Sequence, residues 1–365
     1  RNRLMKTNDA KKFDSLLDEY FKQTLAARPV WGNHLGIRAA EGKLEEPTLK
    51  ALRADEKRRQ KLLTELDRLA PSALSAEQHL DRLAVRAMLL AECEDFDRGI
   101  HRLDPDAVDH LFGALLHELQ RGEDEPARAR RNVRALLQQA PKYLRQAARL
   151  VDRPERVWRK VMDQTVAGAG ALFEAVRSFM GANAERLIAT SQKAVAHYHT
   201  EVMARPLAAK NSFALGATRL QRRVRDELGL DYTLGQVESL ALSEADRVGG
   251  LLAKVCAKYG RGRSANAIIE KARSEWNPGG GLLEVYRAET DRVASGFRKA
   301  KAVGFPVGDE LHVRLVPEFM RHLYPTAAYS SPGPFEKRQR GIFWVNDLSL
   351  AKSSAAEKLS EVQQH

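Results

Sequence analysis

Leu311-His-Val-Arg-Leu-Val-Pro317 and Arg340-Gly-Ile-Phe-Trp-Val-Asn346 are the stretches whose reading decides the fold. In the first, Leu311, Val313 and Leu315 alternate with His312 and Arg314, the period of two that marks a strand with one buried face. In the second, the run Ile342 to Val345 is β-branched and aromatic, with Gly341 before it and Asn346-Asp347 after it. A Pro/Gly-rich connection separates the two, and a final helical run follows them. Nearly everything upstream reads as helix. The sequence therefore predicts a mostly α fold, a multi-helix array with a small β-hairpin or sheet near the C-terminus at about 311–316 and 341–346. Such a sheet in helical surroundings either builds a cleft wall or merely tidies the packing, and the residues leave both open.

Upstream, an opening helix covers about Asp9 to Ala27, with Phe13, Leu16, Leu17, Tyr20, Phe21 and Leu25 on one stripe. Arg28-Pro29 ends it, because the residue before a proline avoids the α region. Val30 to Ile37 reads as a turn with two glycines. A helix at about 48–69 follows, and Pro71 breaks it. Ser75-x-x-Gln78 is a capping box that opens the next, running to about Ile100. Asp104-Pro105 reads as an N-cap followed by proline in the first helical position, opening a helix that closes near Gly122. Pro126, Pro141 and Pro154 punctuate further helices. From Pro154 to Arg205 the helical signal is nearly continuous, loosened around Gly168–Gly170 and at Gly181. After a change of texture near Ser212, helices are expected to Leu228, at 236–259, at 265–276 and from Gly281 to about Val303. One boundary is drawn, at 206–212, giving an N-terminal helical region 1–210 and a region 211–365 that ends in the small sheet.

A chain of 365 residues, 43% of them hydrophobic, can bury a full core. Its two cysteines, Cys93 and Cys256, show no Cys-x-x-Cys or Cys/His spacing, which argues against a disulfide scaffold or structural zinc site and suits a reducing compartment. No apolar run approaches the length of a membrane span. The first residues, Arg1 to Lys6, lack both an initiator Met and the apolar core of a signal peptide. The expected location is the cytoplasm, with export left open because the N-terminus reads as incomplete. A net charge of +12 invites a nucleic-acid partner, but the 60 basic and 48 acidic residues are intermixed at helical spacings. The basic runs Lys57–Arg59, Arg128–Arg134 and Lys337–Arg340 carry no aromatic stacking motif or recognition helix pair, so nucleic-acid binding is the weakest reading.

A metallopeptidase helix needs His-Glu-x-x-His, with two imidazoles one turn apart. The nearest match, His117-Glu-Leu-Gln-Arg121, lacks the second histidine and reads as a packed or surface His. His197 and His199 face roughly 200° apart around a helix and cannot chelate one ion. Asn277-Pro-Gly-Gly-Gly281 lacks the Gly-Lys-Ser/Thr ending of a phosphate loop. There is no Gly-x-Ser-x-Gly elbow and no thiol in an electropositive motif. The acids Glu92, Glu94, Asp95 and Asp97 read as a solvated helix face. The motifs contain no complete catalytic constellation.

Three segments in order, Arg28–Ile37, Leu311–Arg321 with Leu323–Tyr329, and Gly341–Asn346, resemble the bacterial family called domain of unknown function 885, whose members look like helical zinc metallopeptidases of the gluzincin type. The resemblance implies a zinc helix with His-Glu-x-x-Pro-Gly-His shortly after the strand matching 341–346, and a further glutamate ligand downstream. This sequence ends at Glu361–His365, about where that helix would begin. Zinc is thus expected only in the complete protein, with its ligands beyond His365, none bound by this chain and no catalytic residue within it. By resemblance, Gly341, Ile342, Phe343, Trp344, Val345 and Asn346 form the edge that pairs with an extended peptide substrate. Gly341 would let backbones approach closely, and Phe343 or Trp344 would wall a subsite; the alternative is that Ile342 and Trp344 pack into the core. The expected function is the N-terminal part of a zinc-dependent peptidase, supplying cleft wall and substrate-side strand and inactive alone. Its partners would be a peptide and a C-terminal half or second chain carrying the metal. The alternatives are a non-catalytic, peptide-binding helical scaffold and, more weakly, a basic module for nucleic acid.

Overall fold

Side-chain oxygens open the helices where the sequence places them. Thr48 accepts from the Ala51 N–H at 3.2 Å, and Ser75 and Gln78 form the reciprocal capping box. The structure, a computed structural model, describes residues 8–260, 262–275, 281–305, 307–317, 320–321, 324 and 326–346. The expected loop at 277–280 and the final helical run lie outside them. Among the described residues, ten α-helices precede residue 234: α1 (Asn8–Ala27), α2 (Pro29–His34), α3 (Leu49–Asp67), α4 (Ala76–Asp97), α5 (Ala107–Arg121), α6 (Pro126–Ala148), α7 (Arg156–Ala167), α8 (Ala169–Met180), α9 (Glu185–Met203) and α10 (Ala217–Asp226). The breaks after α7 and α8 fall at Gly168 and Gly181, where the helical signal loosened. The apolar stripes meet in a core that includes Leu111, Leu136, Leu144, Phe173, Ile188 and Val202, while Phe13, Leu62, Leu66, Leu69 and Leu89 cluster between α1, α3 and α4.

Three local readings are corrected. Val30–Ile37 is not simply a turn, since Pro29 sits in the first turn of the short helix α2 and Gly32 is packed so closely that a Cβ would lie 2.9 Å from Ala40 Cβ. Asp104 does not cap α5; the helix starts two residues later, with Asp106 at the N-cap, which frees the Asp104 carboxyl. Pro141 does not punctuate but lies inside α6. A mid-helix proline leaves the carbonyl four residues back without its donor. That carbonyl is Leu137 O, and the buried Ser191 hydroxyl of α9 donates to it at 3.1 Å. Tertiary packing thus supplies the bond that the helix lost.

Contacts divide the chain into two compact units, up to Leu234 and from Gly235. α10 belongs to the first: Arg219, Arg222 and Arg223 reach the buried Glu94 of α4 at 3.3, 3.0 and 3.2 Å. The second unit holds α11 (Leu234–Tyr259), α12 (Ala265–Glu275), α13 (Leu282–Ala300) and the strands β1 (Glu310–Leu315), β2 (Ala327–Ser330) and β3 (Arg340–Val345). The strand order is β1-β3-β2, with β1 parallel and β2 antiparallel to β3. Both expected strands are present, but they do not form a hairpin. Parallel neighbours need a crossover, and the Pro/Gly-rich connection provides it while contributing β2. α13 packs on one face, where Tyr286 lies 5.6 Å from the Phe343 ring.

Candidate functional site

The sheet carries every residue that the sequence singled out for substrate. β3 is its central strand, so Gly341 to Val345 form no edge, and the expected edge role is corrected: β1 and β2 occupy both ladders. The hydrogen bonds fix which groups point where. Asn346 donates its N–H to Thr326 O at 2.7 Å, so Ala328 and Ser330 face β3 and the backbone groups of Ala327 and Tyr329 point outward. On the other side, Val316 N–H reaches Val345 O at 2.9 Å, which turns Leu311, Val313 and Leu315 outward on β1. There Arg287 of α13 already donates to Val313 O at 3.3 Å.

Side chains of β3 are mostly structural. Ile342, Val345 and Trp344 are buried, Trp344 at 4% exposure, and its indole N–H donates to Ser330 Oγ at 2.9 Å. The core alternative therefore holds for Ile342 and Trp344. Asn346 is a clamp, its side-chain amide donating to Tyr324 O at 3.0 Å. Gly341 admits a ring rather than a foreign backbone, since a Cβ there would meet Tyr329, with Cζ at 2.9 Å. Of the residues expected at the substrate, Phe343 is the one that stays half-buried, against Tyr286.

Within the first unit lies a cavity of about 1310 Å³ that motif reading missed. Its wall includes Glu45, Asp104, Asp106, Tyr143 and Tyr198 on one side and Arg28, Asp55, Arg59 and Glu92 on another. The basic side is neutralised: Arg28 and Arg59 each pair with Glu92 at 2.8 Å, and Arg59 with Asp55 and Glu56. The acidic side is not. Asp106 faces His110 at 3.3 Å, whereas Glu45 and Asp104 have no ion pair among the described residues. Burial, reinforced by the charge of Asp106, pushes the Asp104 carboxyl up to about 7. A carboxyl raised in the fold favours the protonated state, so its stabilising contribution is whole below about pH 4 and lost as pH rises through about 7. Asp104→Asn is expected to abolish most of that loss, making the variant more stable than the parent at pH 8 by about 1–2 kcal/mol and equal to it at pH 4, as read by urea unfolding. No difference at pH 8 would show that the carboxyl is relieved by other means.

His117 and Glu118, the nearest match to a zinc helix, are spoken for. The Arg121 guanidinium lies 3.0 Å from His117 Nε2, and burial together with the charges of His34 and Arg121 holds that imidazole down at about 3. Glu118 is enclosed by Asn33, Arg121 and Asn132. This donor set does not suit a zinc ion, and among the described residues no group of three His, Cys, Asp or Glu is placed to hold one. His199 instead meets Asp163 at 2.8 Å. Glu92 and Glu94, expected on a solvated face, are anchored by arginines from other helices, a signal that no local pattern contains. The basic runs are partly spent too: Arg128 binds Glu41 and Glu125, and Arg338 and Arg340 meet Glu310. No described helix is long and apolar enough to cross a membrane.

Among the described residues, an array of helices followed by a small mixed sheet is the class this architecture defines. The family described as bacterial protein of unknown function, DUF885, matches over residues 29–364, and the chain belongs to it. Among solved structures, the chain is similar to a candidate lipoprotein of unknown function from Shewanella oneidensis, with a TM-score of 0.67 and 16% identity, covering 96% of this chain and 67% of that one. At that identity the likeness is one of fold. No curated protein matches.

Proposed function

We propose that this chain is the helical part of a zinc-dependent peptidase and that it presents the substrate along the outer edge of β2. The observation that carries this reading is the strand order: the outward backbone groups of Ala327 and Tyr329 face no further strand among the described residues, and an extended peptide can pair with such an edge. Membership of DUF885 supports it, through the resemblance of that family to gluzincin peptidases. The chain's own contribution is positional. β3 and α13 stiffen the sheet from behind, and the exposed Tyr329 ring, lying over Gly341, offers an apolar wall beside the peptide. On this reading the zinc ligands lie beyond His365, and none of the described residues substitutes for them. The Shewanella protein's description as a lipoprotein favours an exported protein over the cytoplasmic one that the free cysteines Cys93 and Cys256 suggested.

The same edge would serve a scaffold that binds peptides without cutting them, and turnover by the complete protein separates the two. Ala327→Pro tests the edge itself. It deletes an outward N–H and leaves the β3-facing bonds of Ala328 and Ser330 intact, a substitution that edge strands accept. In the complete protein, KM for peptides is expected to rise about tenfold, the cost of one hydrogen bond of about 1.4 kcal/mol, with kcat less affected. An unchanged KM would remove β2 from the substrate path.

A further inference from the structure

We infer that the cavity of the first unit is a binding site for a small organic cation, an amine or guanidine carried on an apolar body. The inference rests on residues 20–198 alone and stands or falls independently of the peptidase reading.

The charge of the wall is unbalanced on one side only. Glu45 and Asp104 form no ion pair among the described residues, Glu45 accepting from the Val30 N–H at 3.0 Å, and the one imidazole of His110, 3.3 Å from Asp106, is shared electrostatically among the three carboxyl groups. The arginines across the cavity cannot serve them, because Arg28 and Arg59 are committed to Asp55, Glu56 and Glu92. Beside the carboxylates stand two buried tyrosines, Tyr143 and Tyr198. Tyr198 is 1% exposed, with the Ala107 backbone beside its hydroxyl, and both that hydroxyl and Glu45 Oε2 are buried without a hydrogen-bond partner among the described residues. A buried hydroxyl without a partner costs free energy that a bound donor recovers. Phenol faces attract ammonium and guanidinium groups, so carboxylates and tyrosines together favour a cation over any anion.

A bare metal ion is the poorer occupant. No three carboxylate or imidazole groups among the described residues converge to ligate one. A cavity of about 1310 Å³ with Val30, Leu52, Leu150 and Val151 in its wall instead suits a ligand whose charge sits on a carbon skeleton.

Isothermal titration calorimetry on the chain at low salt tests this, with 1,5-diaminopentane, spermidine and N-acetyl-lysine methylamide as probes and N-acetyl-glutamate as the anionic control. At least one amine is expected to bind with Kd of about 100 µM or tighter. Tighter binding of the lysine derivative would assign the ligand to a peptide side chain; tighter binding of a diamine would assign it to a free amine. The Glu45→Gln/Asp104→Asn double variant is expected to weaken binding at least tenfold, and Tyr198→Phe, which preserves the buried ring, to weaken it by a smaller factor. No amine binding up to about 10 mM, equal binding of the glutamate derivative, or binding indifferent to both variants would overturn the assignment.

Discussion

Glu118→Ala is expected to lower the unfolding free energy of the first unit by about 3–5 kcal/mol, the range for breaking a buried ion pair by removing one partner. Glu118 is fully buried, with 0% exposure. Its carboxylate accepts from Asn33 of α2 at 2.8 Å, from Arg121 of α5 at 2.6 Å and from Asn132 of α6 at 3.0 Å. Alanine would take the nearest carboxylate from a guanidinium that is itself almost buried, with Glu41 farther off at 3.9 Å from Nη1, and would leave two amides with one acceptor fewer. Glu118→Gln keeps the volume and one acceptor oxygen but loses the charge, so it should cost roughly half as much. Urea denaturation followed by far-UV circular dichroism reads both variants. A loss below about 1 kcal/mol for the alanine variant would mean that this network does not tie α2, α5 and α6 together.

Gly341→Pro is the second large effect, and it falls on the second unit. In the parallel register Glu310 lies opposite Arg340, which directs the Gly341 N–H at β1. Proline deletes that donor in a central strand, and its ring would enter the space held by Tyr329. A loss of about 3 kcal/mol or more is expected, with the sheet's protected amides at Phe343 and Val345 becoming exchangeable. Ala327→Pro, on the edge, should leave those amides protected. Equal exchange in the two variants would contradict the β1-β3-β2 order.

Local pattern explains what the sequence revealed. Alternation at Leu311–Leu315 and the β-branched run at Ile342–Val345 mark strands without reference to any partner. β2 escaped notice because Ala327-Ala328 carries weak strand preference and Pro332 follows it closely. The centrality of β3 was also hidden, since pairing is set by segments that meet only in the fold. The same holds for charge. Glu94 looks like one acid among several on α4, yet Arg223, one of the three arginines that hold it, lies 129 residues away. Pro141 reads as a stop until Ser191 is known to donate to Leu137 O. Asp104 looks like a cap until the helix is seen to begin at Ala107, and only then does its carboxyl become part of a cavity wall.

Hydrolysis of an unstructured peptide by the complete protein, assayed before and after chelation and alongside zinc analysis, tests the peptidase proposal most directly. The expected result is about one zinc per chain, since a catalytic site of this kind uses one ion, with cleavage abolished by the chelator and restored by zinc. Cleavage indifferent to chelation, or a zinc-free protein that binds peptide and never cuts it, would contradict the proposal.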